Sequence, residues 1–369
     1  MLKKLLWQLG PLLALFAILL FFTTAEFFWV ADQSWEELRF VSARNVRVMM
    51  SSASLIAVPA LGMTIIIVAG GIDLSAGTAL TLCGTVLALM LKHAPTAAPD
   101  SLFGEGAMQF TLWMITALFA MTLTGAICGA INGTMISATK VVPFIVTLGT
   151  MTIYLGIGQI LASESTVYAP NENLPDWLDL CYTGPTAENY LLPAFSMLGS
   201  EIMIPSSVLI TLALALFAGL LMRYTVFGRN IFALGSSEST ARLCGINVPI
   251  TIVAVYTLAG FFVSIGGLLY FSDVKCGNPN DGTGKELEII AAVVLGGGSL
   301  SGGRGSIIGT MIGALIISAI RSGCVLLSIP NTYTLIIIGF IIIIAVVVDQ
   351  LRHGSPEWLF RLMSKKPKE

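Results

Sequence analysis

Gly282-Thr283-Gly284-Lys285 is the nearest approach in this chain to a phosphate-cradling loop. It fails because Glu286 stands where a Ser or Thr hydroxyl must reach Mg2+. Neither G-x-S-x-G nor H-E-x-x-H occurs, so the usual nucleophile and zinc arrangements of hydrolases are missing. The six cysteines, Cys83, Cys128, Cys181, Cys244, Cys276 and Cys324, show no C-x-x-C spacing. His93 and His353 lie far apart, so no metal site is expected. By this reading one acid, Asp73, is buried within the apolar part of the chain. Its side-chain oxygen is placed to cap the helix that restarts after a glycine-rich break. A row of buried charges, as an ion-driven carrier requires, is not expected. The other polar groups in apolar runs are hydroxyls and amides. Of these, Ser75, Asn132, Thr147 and Thr150, with Asp73 and Phe144, are the candidates to line a path for a neutral, hydroxyl-rich solute. Such a solute needs hydrogen-bond partners but no counter-charge.

These groups must be held by membrane-spanning helices. Of 369 residues, 56% are hydrophobic and 11% charged, and several runs exceed the ~18–20 apolar residues a bilayer crossing needs. An all-α integral membrane protein of about ten transmembrane helices follows, with some helices short or broken. Spans are expected over 5–25, 49–69, 75–91, 110–131, 143–161, 204–222, 250–271, 287–295, 307–320 and 333–348. The first is a retained span, because its apolar run is longer than the ~7–15 residues of a signal core. Residues 26–47 carry an apolar stripe (Trp35, Leu38, Phe40, Val41, Val46) suited to lying flat on the outer surface, and 132–142 reads as a turn. The chain is read as one transmembrane domain over 1–369: a first span and outer segment (1–48), a core (49–349) and a tail (350–369).

Alternation from a cytoplasmic N-terminus places twelve of the nineteen Lys and Arg residues inside, with both termini cytoplasmic. The acidic segment 162–201 and the loop 272–285 then lie outside. There a bridge between Cys181 and Cys276 is chemically allowed. The polar stretch 223–249 carries Arg223, Arg229 and Arg242 and emerges inside. Within it, 236–243 reads as a short helix capped by Ser236 or Ser237, with Glu238 at its positive end and Gly245 ending it. A capped helix between two spans is a handle that a cytoplasmic partner can grip.

Two glycine-rich breaks resemble each other: GGIDLSAG at 70–77 and GGGSLSGG at 296–303, matching at five of eight positions. Gly70, Gly71, Gly296, Gly297, Gly298, Gly302 and Gly303 are the expected hinge glycines. Non-helical backbone at membrane depth persists only where protein or a water-filled cavity satisfies it.

Four stretches, LGMTIIIVAGGIDLSAGTAL (61–80), VVPFIVTLGTMTIYLGIG (141–158), FGRNIFALGSSESTARLCGINV (227–248) and ELEIIAAVVLGGGSLSGGRGSIIGTMIGALI (286–316), carry a family likeness. From about 49 to 349 the chain closely resembles the permease subunits of bacterial ABC importers for monosaccharides, the ribose, xylose, arabinose, galactose and galactofuranose systems. The resemblance implies a fold akin to the vitamin B12 importer type in the bacterial inner membrane. It also implies two permease chains forming the path, ATPase subunits holding ATP and Mg2+, and an extracytoplasmic sugar-binding protein. This chain itself would bind no cofactor and catalyse nothing. Glu238, Ala241, Gly245 and Ile246 match the family's ATPase-coupling segment, which extends the handle Ser236, Ser237, Glu238, Arg242. The long acidic 162–201 loop with Cys181 departs from the ribose permeases. Another solute (a nucleoside, a branched-chain amino acid or a signalling furanose), or an autonomous carrier, are the alternatives.

Overall fold

The computed structural model describes residues 2–29, 38–95, 105–174, 178, 181, 195–197, 200–202 and 204–353. Twelve α-helices, named in chain order, make up nearly all of the regular structure among them. They are α1 (Leu2–Trp29), α2 (Ala43–Val68), α3 (Ala76–Lys92), α4 (Glu105–Thr139), α5 (Pro143–Leu161), α6 (Ser206–Tyr224), α7 (Val226–Ser236), α8 (Glu238–Leu243), α9 (Val248–Val274), α10 (Lys285–Leu295), α11 (Ile307–Leu326) and α12 (Asn331–His353). The strands among the described residues form two short antiparallel pairs, β1 (Val167–Tyr168) with β4 (Cys276–Gly277) and β2 (Phe195–Met197) with β3 (Ser200–Ile202). Seven of the described helices are long and apolar enough to cross a membrane, namely α1, α2, α4, α5, α6, α9 and α11; α3, α10 and the apolar part of α12 are shorter. The chain is a multi-pass, all-α membrane protein.

Of these seven, α2 is the most buried, wrapped by α9, α10, α11 and α6. Polar contacts tie it to α11. Thr64 Oγ1 lies 2.6 Å from Thr310 Oγ1 on α11, and Ser318 of α11 donates to the Met49 carbonyl at 2.7 Å. Gly125, Gly129 and Gly133 repeat every fourth residue on α4 and meet α9 backbone to backbone at Gly260, Tyr256 and Val253. A side chain at any of these glycines would force the pair apart, which is why small residues mark this contact.

Several expectations are corrected. Residues 132–139 are not a turn: α4 runs on to Thr139, and the chain turns only at Lys140, whose φ is 56°. The outer segment does not lie flat as a unit. Phe40 is 1% exposed within the core, Val46 packs against that core, and α2 begins already at Ala43; Trp35 falls outside the described residues. Asp73 is not the lone buried acid, since Glu26, Glu286 and Glu288 are buried as well. Glu26 accepts the backbone N–H of Arg39 at 3.0 Å and of Phe40 at 2.8 Å, tying the end of α1 to the residues just before α2. Glu288 pairs with Arg321 of α11. The loops at 162–201 and 272–285 are joined through the β1–β4 pair, with Tyr168 opposite Cys276. Cys181 and Cys276 are nonetheless free thiols, so the bridge allowed between them is not formed.

Candidate coupling elbow and polar core

The elbow is built from consecutive caps. Thr225 closes α6 and starts α7, its hydroxyl accepting the Gly228 N–H at 3.0 Å. Ser237 ends α7 and caps α8, accepting the Thr240 N–H at 3.3 Å. Glu238 at the first turn of α8 pairs with Arg242 one turn later at 2.6 Å; both side chains are about half exposed, so the pair contributes only a few tenths of a kcal/mol. At the far end Gly245 has φ 79°. Its N–H donates to Arg242 O at 3.0 Å, while the Ile246 N–H donates to Ala241 O at 3.1 Å. That pair of bonds is the Schellman cap, which needs a residue in the left-handed region and favours an apolar contact across the turn. Ala241, 2% exposed, and the half-buried Ile246 sit at the two positions where that contact forms. Asn247 then caps α9 by accepting the Ile250 N–H at 3.3 Å. Hardly a residue between 225 and 248 lies outside a helix or a cap.

The expected start of the elbow helix is shifted. Ser236 belongs to the end of α7 and Ser237 alone is the cap of α8. Residues 226–236, read as loop from sequence, form a separate helix that buries Ile231 and Leu234.

Both glycine breaks end their helices in the same conformation. Gly70 has φ 88°, with Gly70 N–H to Ile67 O at 3.0 Å and Gly71 N–H to Ile66 O at 2.9 Å. Gly297 has φ 88°, with Gly297 N–H to Val294 O and Gly298 N–H to Val293 O, each at 2.9 Å. The conformational register therefore pairs Gly70 with Gly297, one residue away from the match of the two strings. The shift arises because Gly296 occupies the capping position that Ala69 fills in the first break.

The elbow reaches both breaks through Gly235. Gly303 donates its N–H to Val68 O at 2.9 Å, so the second break is pinned to the end of α2. A Cβ on Gly235 would collide with that same Val68 carbonyl and come within 2.6 Å of Gly303 N; a Cβ on Gly302 would come within 2.6 Å of Gly235 O and 3.0 Å of Gly70 Cα. Three backbone segments thus converge on one point, and nothing in the sequence singles out Gly235. Beside it a cavity of about 430 Å3 separates α8 from the first break, lined by Gly70, Gly71, Lys140, Glu238, Arg242 and Tyr256 among others.

The polar core lies just beyond the first break. Asp73 Oδ1 accepts the Ser75 N–H at 2.8 Å and the Ser75 hydroxyl at 2.6 Å, tying off the start of α3. From α4, Asn132 donates to Ser75 Oγ at 2.8 Å and lies 3.4 Å from both Asp73 oxygens. Tyr154 of α5 lies with its hydroxyl 3.1 Å from Asn132 Oδ1 and 2.8 Å from Cys128 O. Thr147 and Tyr256 approach the Ile72 carbonyl at 3.4 and 3.3 Å. Asp73, Ser75, Asn132 and Thr147 are therefore brought together, and each is buried. Thr150 is buried too but bonds the carbonyl of Thr147 on its own helix, while Phe144 is 46% exposed on the outer face of α5. Tyr154 and Tyr256 were missed by sequence reading, since a Tyr in an apolar run resembles any core aromatic.

No group of three or more His, Cys, Asp or Glu able to hold a metal occurs among the described residues. No solved structure matches the chain significantly. Over 317 residues it is 33% identical to the ribose import permease protein of Escherichia coli (strain K12), covering 85% of this chain and 88% of that protein. It is 33% identical over 349 residues to the ribose import permease protein of Bacillus subtilis (strain 168), covering 94% of each. The galactose/methyl galactoside import permease protein of Escherichia coli (strain K12) is 32% identical over 320 residues, 87% of this chain and 90% of that one. The family model described as branched-chain amino acid transport system / permease component matches residues 46–346, from α2 through α12 with both breaks and the elbow between. The chain belongs to that permease family.

Proposed function

We propose that the chain is the membrane subunit of an ATP-driven importer, forming with a second permease copy the path for a monosaccharide delivered by an extracytoplasmic binding protein. The observation that carries this reading is the doubly capped elbow at 225–248, joined by backbone contact at Gly235 to the breaks after α2 and α10. ATP and Mg2+ belong to a separate ATPase that grips α8, and this chain performs no catalysis. The three shorter helices α3, α10 and α12 complete ten spans, in a fold of the vitamin B12 importer type, placed in the inner membrane with both termini cytoplasmic. The division into 1–48, 49–349 and 350–369 follows the same picture. The sugar relatives and the neutral hydrogen-bonding groups of the path favour a monosaccharide. The family's description favours a second reading, in which the solute is a branched-chain amino acid.

Reconstitution with the ATPase and the binding protein decides between them. Uptake of labelled ribose or galactose that requires ATP supports the first reading, and uptake of leucine in its place supports the second. Uptake by this chain alone without ATP defeats both. In the same assay Gly245→Val is expected to lower uptake per ATP hydrolysed by about tenfold or more. Nothing lies within 4 Å of its Cβ, so the φ of 79° alone opposes a branched side chain. Unchanged coupling in that variant would remove α8 from the mechanism.

Orientation has its own test. Cys244 beside α8 is exposed, and Cys276 in β4 is half-buried, its thiol pushed up by burial and by Asp281. A membrane-impermeant maleimide applied to intact cells is expected to modify Cys276, slowly because little thiolate is present. It should spare Cys244 until the membrane is opened. The reverse pattern would invert the topology.

A further inference from the structure

A groove of about 720 Å3 runs along the membrane-facing side of the bundle between α6 and the first turns of α11. Its wall on α6 is Leu212, Leu216 and Leu220, and its wall on α11 is Ile308 and Met311. The three leucines and Ile308 are each roughly half or more exposed. The hydroxyl of Thr64 at its floor is already engaged with Thr310 and with its own helix, so the groove offers no unsatisfied polar partner. At one end the lining changes character: Arg223 stands exposed in the last turn of α6, its guanidinium 5.5 Å from the Tyr224 ring, opposite Ser306.

Length identifies the occupant. From Leu212 to Arg223 is eleven helical steps, about 16 Å at 1.5 Å per residue, which is close to half of the ~30 Å hydrocarbon core. The groove is one leaflet deep, apolar along its length, and cationic only where a lipid headgroup would sit. We propose that it holds one acyl chain of an anionic phospholipid whose phosphate pairs with Arg223. That the leaflet is the cytoplasmic one rests on the orientation proposed above; the chemistry of the site does not.

The test is native mass spectrometry of the full chain, without ATPase or binding protein, titrated with phosphatidylglycerol and separately with phosphatidylcholine. Wild-type chain is expected to retain phosphatidylglycerol about fivefold better, the worth of one basic residue near an anionic surface. Arg223→Gln should bring the two lipids level. Gly219→Leu should reduce both, because a side chain there projects into open space and fills the groove without a clash. Equal retention by wild type, or a surviving preference in Arg223→Gln, overturns the proposal. So does a disulfide-linked dimer formed through Gly219→Cys, which would put a second copy of the chain in the groove. Since lipid retention is read without transport, its failure leaves the importer reading standing, and loss of the importer reading leaves the lipid site standing.

Discussion

Gly235→Ala is expected to separate ATP hydrolysis from uptake more strongly than any other single methyl group added to this chain. The new Cβ meets the Val68 carbonyl and the Gly303 nitrogen, which are backbone atoms, so no side-chain rotation relieves the clash. Overpacking of this kind costs about 1–3 kcal/mol. Here it falls on the junction between the elbow and the breaks. If the breaks pass between two arrangements during transport, a bias of that size shifts their balance by about 5- to 150-fold. The variant should insert, bind the ATPase through an unaltered α8 and hydrolyse ATP, while uptake falls at least about tenfold. Gly339→Ala on α12, where an added Cβ meets nothing within 4 Å, is the matched control and should behave as wild type. Uptake and hydrolysis measured side by side in proteoliposomes check both. Wild-type uptake by Gly235→Ala would show that the elbow does not act through this contact.

Gly235 also marks the limit of what one sequence reveals. Where local chemistry dictates structure, the reading was sound: α5 spans Pro143–Leu161, as expected, because proline is favoured in the first turn of a helix. The cap on α8 was legible as Ser236 or Ser237, and the left-handed Gly245 as a glycine two residues beyond Leu243. Errors fell where distant partners override local preference. Asn132-Gly133 has the composition of a turn, yet α4 continues through it. Asn132 is satisfied there by Ser75, Asp73 and Tyr154, and Gly133 is needed bare against α9. Residues 226–236 hold two glycines and only 11 residues, too little for periodicity to declare a helix that tertiary contact stabilises. The convergence on Gly235 depends on three segments whose proximity no local pattern encodes.

Glu286 and Glu288 open α10, and the expectation of a single buried acid overlooked both. The structure places Glu288 against Arg321, a residue 33 positions later that sequence alone set just beyond the end of its span. The two partners are unequally covered: the Glu288 side chain is 10% exposed and that of Arg321 40%. Removing either one should therefore have unequal consequences. Arg321→Met strips a nearly buried carboxylate of its hydrogen-bonded partner and leaves Lys285 as the cation beside it. Breaking a fully buried pair in this way costs about 3–5 kcal/mol, and the partial exposure of Arg321 brings the expectation down to about 2–3 kcal/mol. Glu288→Gln leaves a guanidinium with a route to water along its flexible stem and should cost no more than about 1 kcal/mol. The double variant, with neither charge to desolvate, should recover most of what Arg321→Met loses. Thermal unfolding of the three variants in one lipid environment measures the order directly, with Arg321→Met lowest and the double variant above it. Equal losses in the two single variants would mean that the pair is solvated and that α10 and α11 are held together by their apolar faces alone.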